Sequence, residues 1–437
     1  MMKAWDGVDS QPPATLYHGS IVYPSSDALG MALDKLAYAC LCAFIFALPW
    51  EDTLPRVGPL LVSNWIGLVT VGCGLLSALV RAQGRALCEL HYWMLSFVAW
   101  SSASIFWTLD RDSTEARIGT YAQLLVLAWL IWELARSDER VLGLLQSYVL
   151  GTCVCALGTI VNVLTGRTYG LLSNVELPKG VNADRYTIRG VNPNDLGLML
   201  ALSIPMTFYL LSRRKKSVGA TGMYWLQLVL CVTAILLSGS RGSTLAAAIA
   251  MLMFPLTFSS LARWQKRLAL PAGAVIVACA VRLMPRLTWE RFLRIGTDIT
   301  AGTMTHRTQI WSASLEVFRN HPFVGVGSGA HPVAVVQILA RPFVAHNTFL
   351  SVLVELGVAG ELVLLGLLGI AFYYAMRMKG LARSFWIVTL LTWCVGVCDG
   401  TWEYRKVTWF LLSTLAAHAY AIRSDWTRPR RDFEVRE

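Results

Sequence analysis

The sequence predicts an all-α polytopic membrane protein with about twelve transmembrane helices, both termini cytoplasmic, and a helical layer on the outer face built from one long loop. Three observations lead there. Of 437 residues, 55% are hydrophobic and 15% charged, against about 25% charged in soluble domains, and the mean hydropathy is +0.52. Apolar runs of bilayer-spanning length, roughly 17–25 residues, recur along the whole chain. The basic residues of the short loops fall mainly on one side, and that bias sets orientation.

In chain order, residues 1–32 read as a polar, Pro- and Ser-bearing cytoplasmic tail, without the basic and apolar regions of a signal peptide. Residues 33–284 hold nine segments, at 33–49, 60–80, 91–108, 117–135, 141–164, 194–212, 223–238, 243–259 and 267–284, with an outer loop at 165–193. A large outer loop, 285–345, is followed by segments at 346–376, 384–398 and 405–422 and by a cytoplasmic tail at 423–437. One set of short loops carries fourteen basic residues, including the run Arg213-Arg214-Lys215-Lys216, and the alternate set only six. The first set is therefore cytoplasmic. The net charge of +11 is partly this topology signal, so nucleic acid is not an expected partner.

The ten cysteines lie almost entirely in apolar segments, which excludes a disulfide framework and a thiolate metal site of the CxxC type. The 285–345 loop is too long for a mere connection. Within it, "TQIWSASLEVFRNHP" places Ile310, Trp311, Leu315 and Phe318 on one helical face, and "HPVAVVQILARP" is bounded by Pro332 and Pro342. No solenoid repeat and no inverted repeat of Gly/Pro-broken segments is evident.

Chemistry-bearing residues concentrate on the outer face. The large loop contains Arg286, Arg291, Arg294, Arg307, Arg319 and Arg341 and no lysine. The guanidinium fork grips phosphate oxygens in pairs, so this composition points to an anionic ligand, or to lipid headgroups and surface ion pairs. Arg189 precedes "NPND", where Asn192 or Asn194 caps the sixth segment near a helix N-terminus that favours anions. Arg241, in the short turn "SGSRGS", suits an anion pocket or a headgroup contact equally. His306, His321, His331 and His346 share no helical metal-ligand spacing. His321 and His331 precede prolines and read as turn residues. His346 opens a span in "HNTFL", where an imidazole can accept a proton at neutral pH.

Ordered pieces of this sequence resemble the bacterial O-antigen ligase and O-antigen polymerase superfamily of polytopic glycosyltransferases. They are "RGVNPNDLG", "SGSRGS", "HRTQIWSASLEVFRNHPFVGVGSG" and "AHNTFLSVLVELGVAGEL", together spanning about 189–362. The resemblance implies metal-independent, inverting glycosyl transfer on the periplasmic face of the bacterial inner membrane, with no cofactor. The implied donor is an undecaprenyl-diphosphate-linked glycan and the implied acceptor a sugar hydroxyl of lipid A–core, among membrane lipids. By motif position, His346, Arg307 and Arg189 match the essential residues. Arg241, Asn347, Arg341 and Asn194 are expected to bind diphosphate or glycan. His306 departs from the small residue the family more often has before the arginine. Rival readings are an O-antigen polymerase, a protein O-oligosaccharyltransferase, and a lipid-linked glycan transporter. The last would need intramembrane ionisable groups, for which Glu355, Glu361 and Asp399 are the candidates.

Overall fold

The structure, a computed structural model, describes residues 24–58, 60–81, 84–169, 185–213, 217–284, 286–293 and 307–427. A helix stands at every segment expected from hydropathy. They are α1 (Pro24–Ala47), α2 (Val62–Arg81), α3 (Glu89–Ala103), α4 (Arg111–Leu134), α5 (Asp138–Thr165), α6 (Pro193–Arg213), α7 (Val218–Leu237), α8 (Arg241–Ala250) continued by α9 (Met253–Phe258), the short α10 (Arg263–Arg267), and α11 (Ala269–Leu283). The loop contributes α12 (Arg286–Leu293), α13 (Arg307–Asn320) and α14 (His331–Leu339), and the chain closes with α15 (Thr348–Arg377), α16 (Gly380–Gly396) and α17 (Lys406–Thr427). Apart from a two-residue pairing of Arg56–Val57 with Leu60–Leu61, these elements are helical. The first helix begins at Pro24, inside the stretch expected to be a tail.

Among the described residues eight helices are long and apolar enough to cross a bilayer, so the chain is a multi-pass membrane protein. Helices α3 and α11 are short, at 15 residues each. Helices α4 and α17 lack a sufficiently apolar window because their polar side chains turn inward: Glu133 in α4 and Thr408, Ser413, Thr414 and His418 in α17 are buried. Polar groups that face protein rather than lipid lower hydropathy without barring a span.

The centre is α6, whose residues from Leu196 to Leu211 are all buried against α5, α7, α8 and α16. Inside it, Gln227 of α7 donates to Ser203 Oγ at 2.8 Å and accepts from Thr207 Oγ1 at 2.7 Å. Hydrogen bonds of this kind fix helix register where apolar contact alone cannot distinguish one neighbour from another.

The feature that positions the outer loop is a break in α15. Gly357 has φ 69° and ψ −171°, far outside helical geometry. The peptide groups freed there are satisfied by the loop after α13. The Val326 and Gly327 amides donate to the Val354 and Glu355 carbonyls at 3.0 and 2.8 Å, and the Val358 amide donates to the Pro322 carbonyl at 2.8 Å. Trp100 Nε1 takes the Leu356 carbonyl at 3.0 Å. A helix broken within a membrane protein is tolerated only when its backbone is re-paired in this way. The straight helix expected over 346–376, with Glu361 deep along it, is therefore not what forms. Glu355 is engaged too, its Oε2 accepting from the Gly329 amide at 2.6 Å. Glu361 lies past the break, with a buried Oε2 that has no hydrogen-bond partner among the described residues.

Helices α13 and α14 form the expected layer and pack on each other and on α15. The buried face of α13 is Ile310, Ala313, Ser314 and Val317 rather than the bulkier stripe expected, and Leu315 is exposed. Small residues win because α14 and the Val326–Ala330 turn approach this face closely.

A Cβ at Gly357 would lie 2.3 Å from the Phe323 carbonyl carbon and oxygen. Gly357→Ala is therefore expected to cost at least about 1–3 kcal/mol from the left-handed φ alone, read as a lowered unfolding midpoint of the detergent-solubilised protein. An unchanged midpoint would mean that the loop does not depend on this break.

Candidate active site

Four helix N-termini converge on the loop face of the bundle. Asn192 starts α6, its Oδ1 accepting from the Asn194 amide at 2.9 Å. Ser240 caps α8 by accepting from the Ser243 amide at 3.3 Å. Arg307 is the first residue of α13. Asn347 caps α15, accepting from the Leu350 amide at 3.1 Å. Side-chain bonds tie these ends together. Ser243 Oγ donates to the Asn194 carbonyl at 3.0 Å, joining α8 to α6. Asp399, just past α16, pairs with Arg307 and accepts from Ser240 Oγ at 3.2 Å, joining α13 to α8. The α8 turn can approach Asp399 because residue 242 is glycine, where a Cβ would meet Asp399 Cβ and Cγ at 2.5 Å.

Each such end carries a partial positive charge, and three guanidinium groups add to it. Arg307 heads α13, Arg241 heads α8, and Arg185 reaches the α6 end, bonding to Asn194 Oδ1 and donating through Nε to the Ser238 carbonyl at 3.0 Å. The described counter-charges are Asp399 and Asp195. Asp195 is held by Trp402 Nε1 at 2.8 Å and Arg405 Nη2 at 2.9 Å. Positive ends of helices capped by arginines are unfavourable without an anion, so the cluster suits a multiply charged oxyanion.

His346 sits among these groups, half-buried and two residues ahead of the helix it was expected to begin. Its φ of 48° is left-handed, uncommon for a non-glycine residue. Two contacts beside it hold that geometry: Trp311 Nε1 donates to the Ala345 carbonyl at 3.0 Å, and Asn347 caps α15. Arg307 and Trp311 lie one turn apart on α13, so a single helix carries the cation and the peg for the histidine. Burial first, and then the Arg307 charge, push the His346 imidazole below its ordinary range, while Asp195 opposes them. The result is a neutral, proton-accepting imidazole beside cations.

The structure brings His346, Arg307 and Asn194 together and places Arg241 at the same turn. Asn347 serves as a helix cap. Arg189 is exposed, its carbonyl accepting from Thr53 Oγ1 at 2.8 Å. The arginine of that segment whose charge bears on His346 is Arg185. Arg341 is exposed, beyond α14. His306 lies outside the described residues, as do Arg294 and the 170–184 part of the first outer loop. His331 is a fully buried bridge rather than a turn residue, its Nδ1 donating to the Phe343 carbonyl at 3.0 Å and its Nε2 lying 2.9 Å from Ser314 Oγ. Among the described residues no group of three or more His, Cys, Asp or Glu is arranged to hold a metal ion.

Arg185, Asp195, Asp399 and Trp311 carry site roles that sequence reasoning did not assign. Only Trp311 had a usable signal, being four residues from Arg307 on one helix. Residues 226–365 match a family model described as O-antigen ligase. No curated protein matches the chain. The matched stretch contains Arg241, Arg307, Trp311 and His346 in the arrangement above, so this part of the chain is similar to the O-antigen ligase family.

Proposed function

We propose that the chain is an O-antigen ligase. It transfers an O-antigen glycan from undecaprenyl diphosphate to a sugar hydroxyl of lipid A–core, at the periplasmic face of the inner membrane, with inversion and without a metal. The observation that carries this reading is a neutral imidazole, His346, lodged beside an arginine cluster at converging helix N-termini. The acceptor hydroxyl oxygen attacks the anomeric carbon of the donor sugar opposite the diphosphate. As the new C–O bond forms, the bond from that carbon to the phosphate oxygen breaks, and its electron pair leaves on the diphosphate. His346 takes the hydroxyl proton. Arg307, Arg185 and Arg241 stabilise the charge that grows on the leaving group, and the exposed Arg189 meets the glycan or headgroup beyond them. Asn194 stands at the same helix ends, and Asn347 caps α15 beside His346. A polymerase or a protein O-oligosaccharyltransferase would run the same step on another acceptor. The transporter reading loses two of its three candidates, because Glu355 and Asp399 have partners that lock the loop and the arginine in place, and Glu361 alone keeps a buried oxygen without a hydrogen-bond partner among the described residues.

Purified protein, lipid-linked donor and lipid A–core should give linked product with or without a chelator. His346→Ala should lower the rate by roughly 10²–10⁴-fold, the contribution of a general base. Near-normal turnover by that variant would remove His346 from the chemistry, and loss of product on chelation would remove the metal-free reading. Arg307→Lys retains charge but loses the fork, and kcat/KM should fall by roughly ten-fold or more, equivalent to a lost charged hydrogen bond of about 1.5–3 kcal/mol.

The rate should rise with pH as His346 loses its proton and level off with a midpoint below ~6.5. Asp195→Asn removes a negative charge that favours the imidazolium, so the midpoint should move to lower pH. Arg185→Gln removes a positive charge and should move it up. Equal or reversed displacements, read from the transfer rate across pH, would show that another group sets the profile.

A further inference from the structure

We infer that a cavity of about 220 Å³ sharing Asp195 with the candidate active site is the seat of the acceptor sugar, and that it selects a single neutral or amino sugar unit. This rests on the glycosyl-transfer reading above and specifies the substrate of the same site.

The cavity opens where three stretches meet: the end of the first helix with its 48–53 turn, the Gly190–Asp195 turn, and the 402–407 segment that enters α17. Its polar wall is Glu51, Asp52, Asp195, Arg405 and Lys406. The cations are already matched, Lys406 Nζ lying 2.5 Å from Glu51 Oε2 and Arg405 Nη2 2.9 Å from Asp195 Oδ2. Asp52 is the third carboxylate against two cations, so this wall carries a net negative charge. The neighbouring cluster of Arg185, Arg241 and Arg307 has the opposite sign. A diphosphate is drawn to the arginines and repelled from the carboxylates, which assigns the donor to one and leaves the other to a different ligand.

The chemistry of the wall says which. Ionised carboxylates only accept hydrogen bonds and have about four lone-pair sites each, so those left open suit hydroxyl or ammonium donors. Leu48, Pro49, Met199 and Val407 add apolar surface to the lining. A pyranose ring has this dual character, with hydroxyls at its edge and C–H groups on its face. The volume lies below the ~300–1,000 Å³ of pockets for drug-sized ligands, which suits one ring rather than an oligosaccharide. Asp195 is common to both compartments: it lines the cavity and its charge bears on His346. A sugar held there presents its hydroxyl toward the base, and an acidic or phosphorylated sugar is excluded by charge.

The test uses the full chain in lipid nanodiscs, with undecaprenyl-diphosphate-linked glycan as donor and lipid A–core as acceptor. Asp52 is exposed at the cavity rim, and the fold of each variant is checked by an unchanged unfolding midpoint. Asp52→Asn should raise the acceptor KM by about ten-fold, the loss expected for one hydrogen bond to a charged group, while the donor KM stays. Asp52→Lys should raise it further and relax the exclusion of acidic acceptor sugars. A rise in the donor KM instead, or no change in either, would overturn the assignment. Lipid A–core binding is also titrated without donor, on the wild type and Asp52→Lys. Weaker binding to the variant supports the cavity as the acceptor seat, and equal binding refutes it. Wild-type protein that binds acceptor but transfers no glycan would refute the glycosyl-transfer reading instead.

Discussion

The structure depends on one backbone constraint: α15 breaks at Gly357, and every peptide group exposed by the break must find a partner. The partners come from the turn after α13 and from Trp100. That exchange turns a long outer loop into a fixed part of the bundle. Thr114 Oγ1 and Ser104 Oγ add bonds to the backbone of Ser328 from the α3–α4 junction, so the anchor has several independent points. With the loop fixed, α13 is fixed, and with it Arg307 and the indole of Trp311 that holds the Ala345 carbonyl. The left-handed φ of His346 is thus imposed from a distance by a glycine eleven residues further along the chain.

The site is then a balance of charges held by rigid ends. Arginines at the heads of α8 and α13 add to the positive potential of those helices, and Asp399 pairs with one of them. Burial and the Arg307 charge together favour neutral imidazole at His346. Asp195 limits how far this goes, and its own position is set by Trp402 and Arg405 from the segment leading into α17. The proposed proton acceptance and anion binding therefore draw on the same arrangement rather than on separate devices.

Much of this was legible in the sequence. Hydropathy located the long apolar helices, proline and helical spacing placed α13 and α14, and the motifs pointed to His346, Arg307, Arg241 and Arg189. What was hidden had physical causes. Arg185 and Arg189 are four residues apart in one irregular segment, and nothing local says which guanidinium turns to Ser238 and Asn194. Gly357 sits in an apolar run where glycine is common, so only the incoming loop backbone reveals the break. Asp399 looked like an isolated intramembrane charge because its partner is ninety-two residues away in sequence. In each case the deciding interaction is tertiary, and periodicity carries no record of it.

The two compartments also divide along the chain. The stretch that matches the family model, 226–365, contains Arg241, Arg307 and His346, most of the groups proposed for the leaving diphosphate and the proton, with Arg185 lying upstream of it. The cavity wall, from Leu48 to Asp52, Gly190 to Met199 and Trp402 to Val407, lies wholly outside it. Asp195 belongs to the second set and acts on the first. The chemistry of the step is common to a ligase and a polymerase, so the residues that distinguish them should lie where the acceptor binds. On the acceptor seat proposed above, that is the carboxylate-rich wall around Asp52.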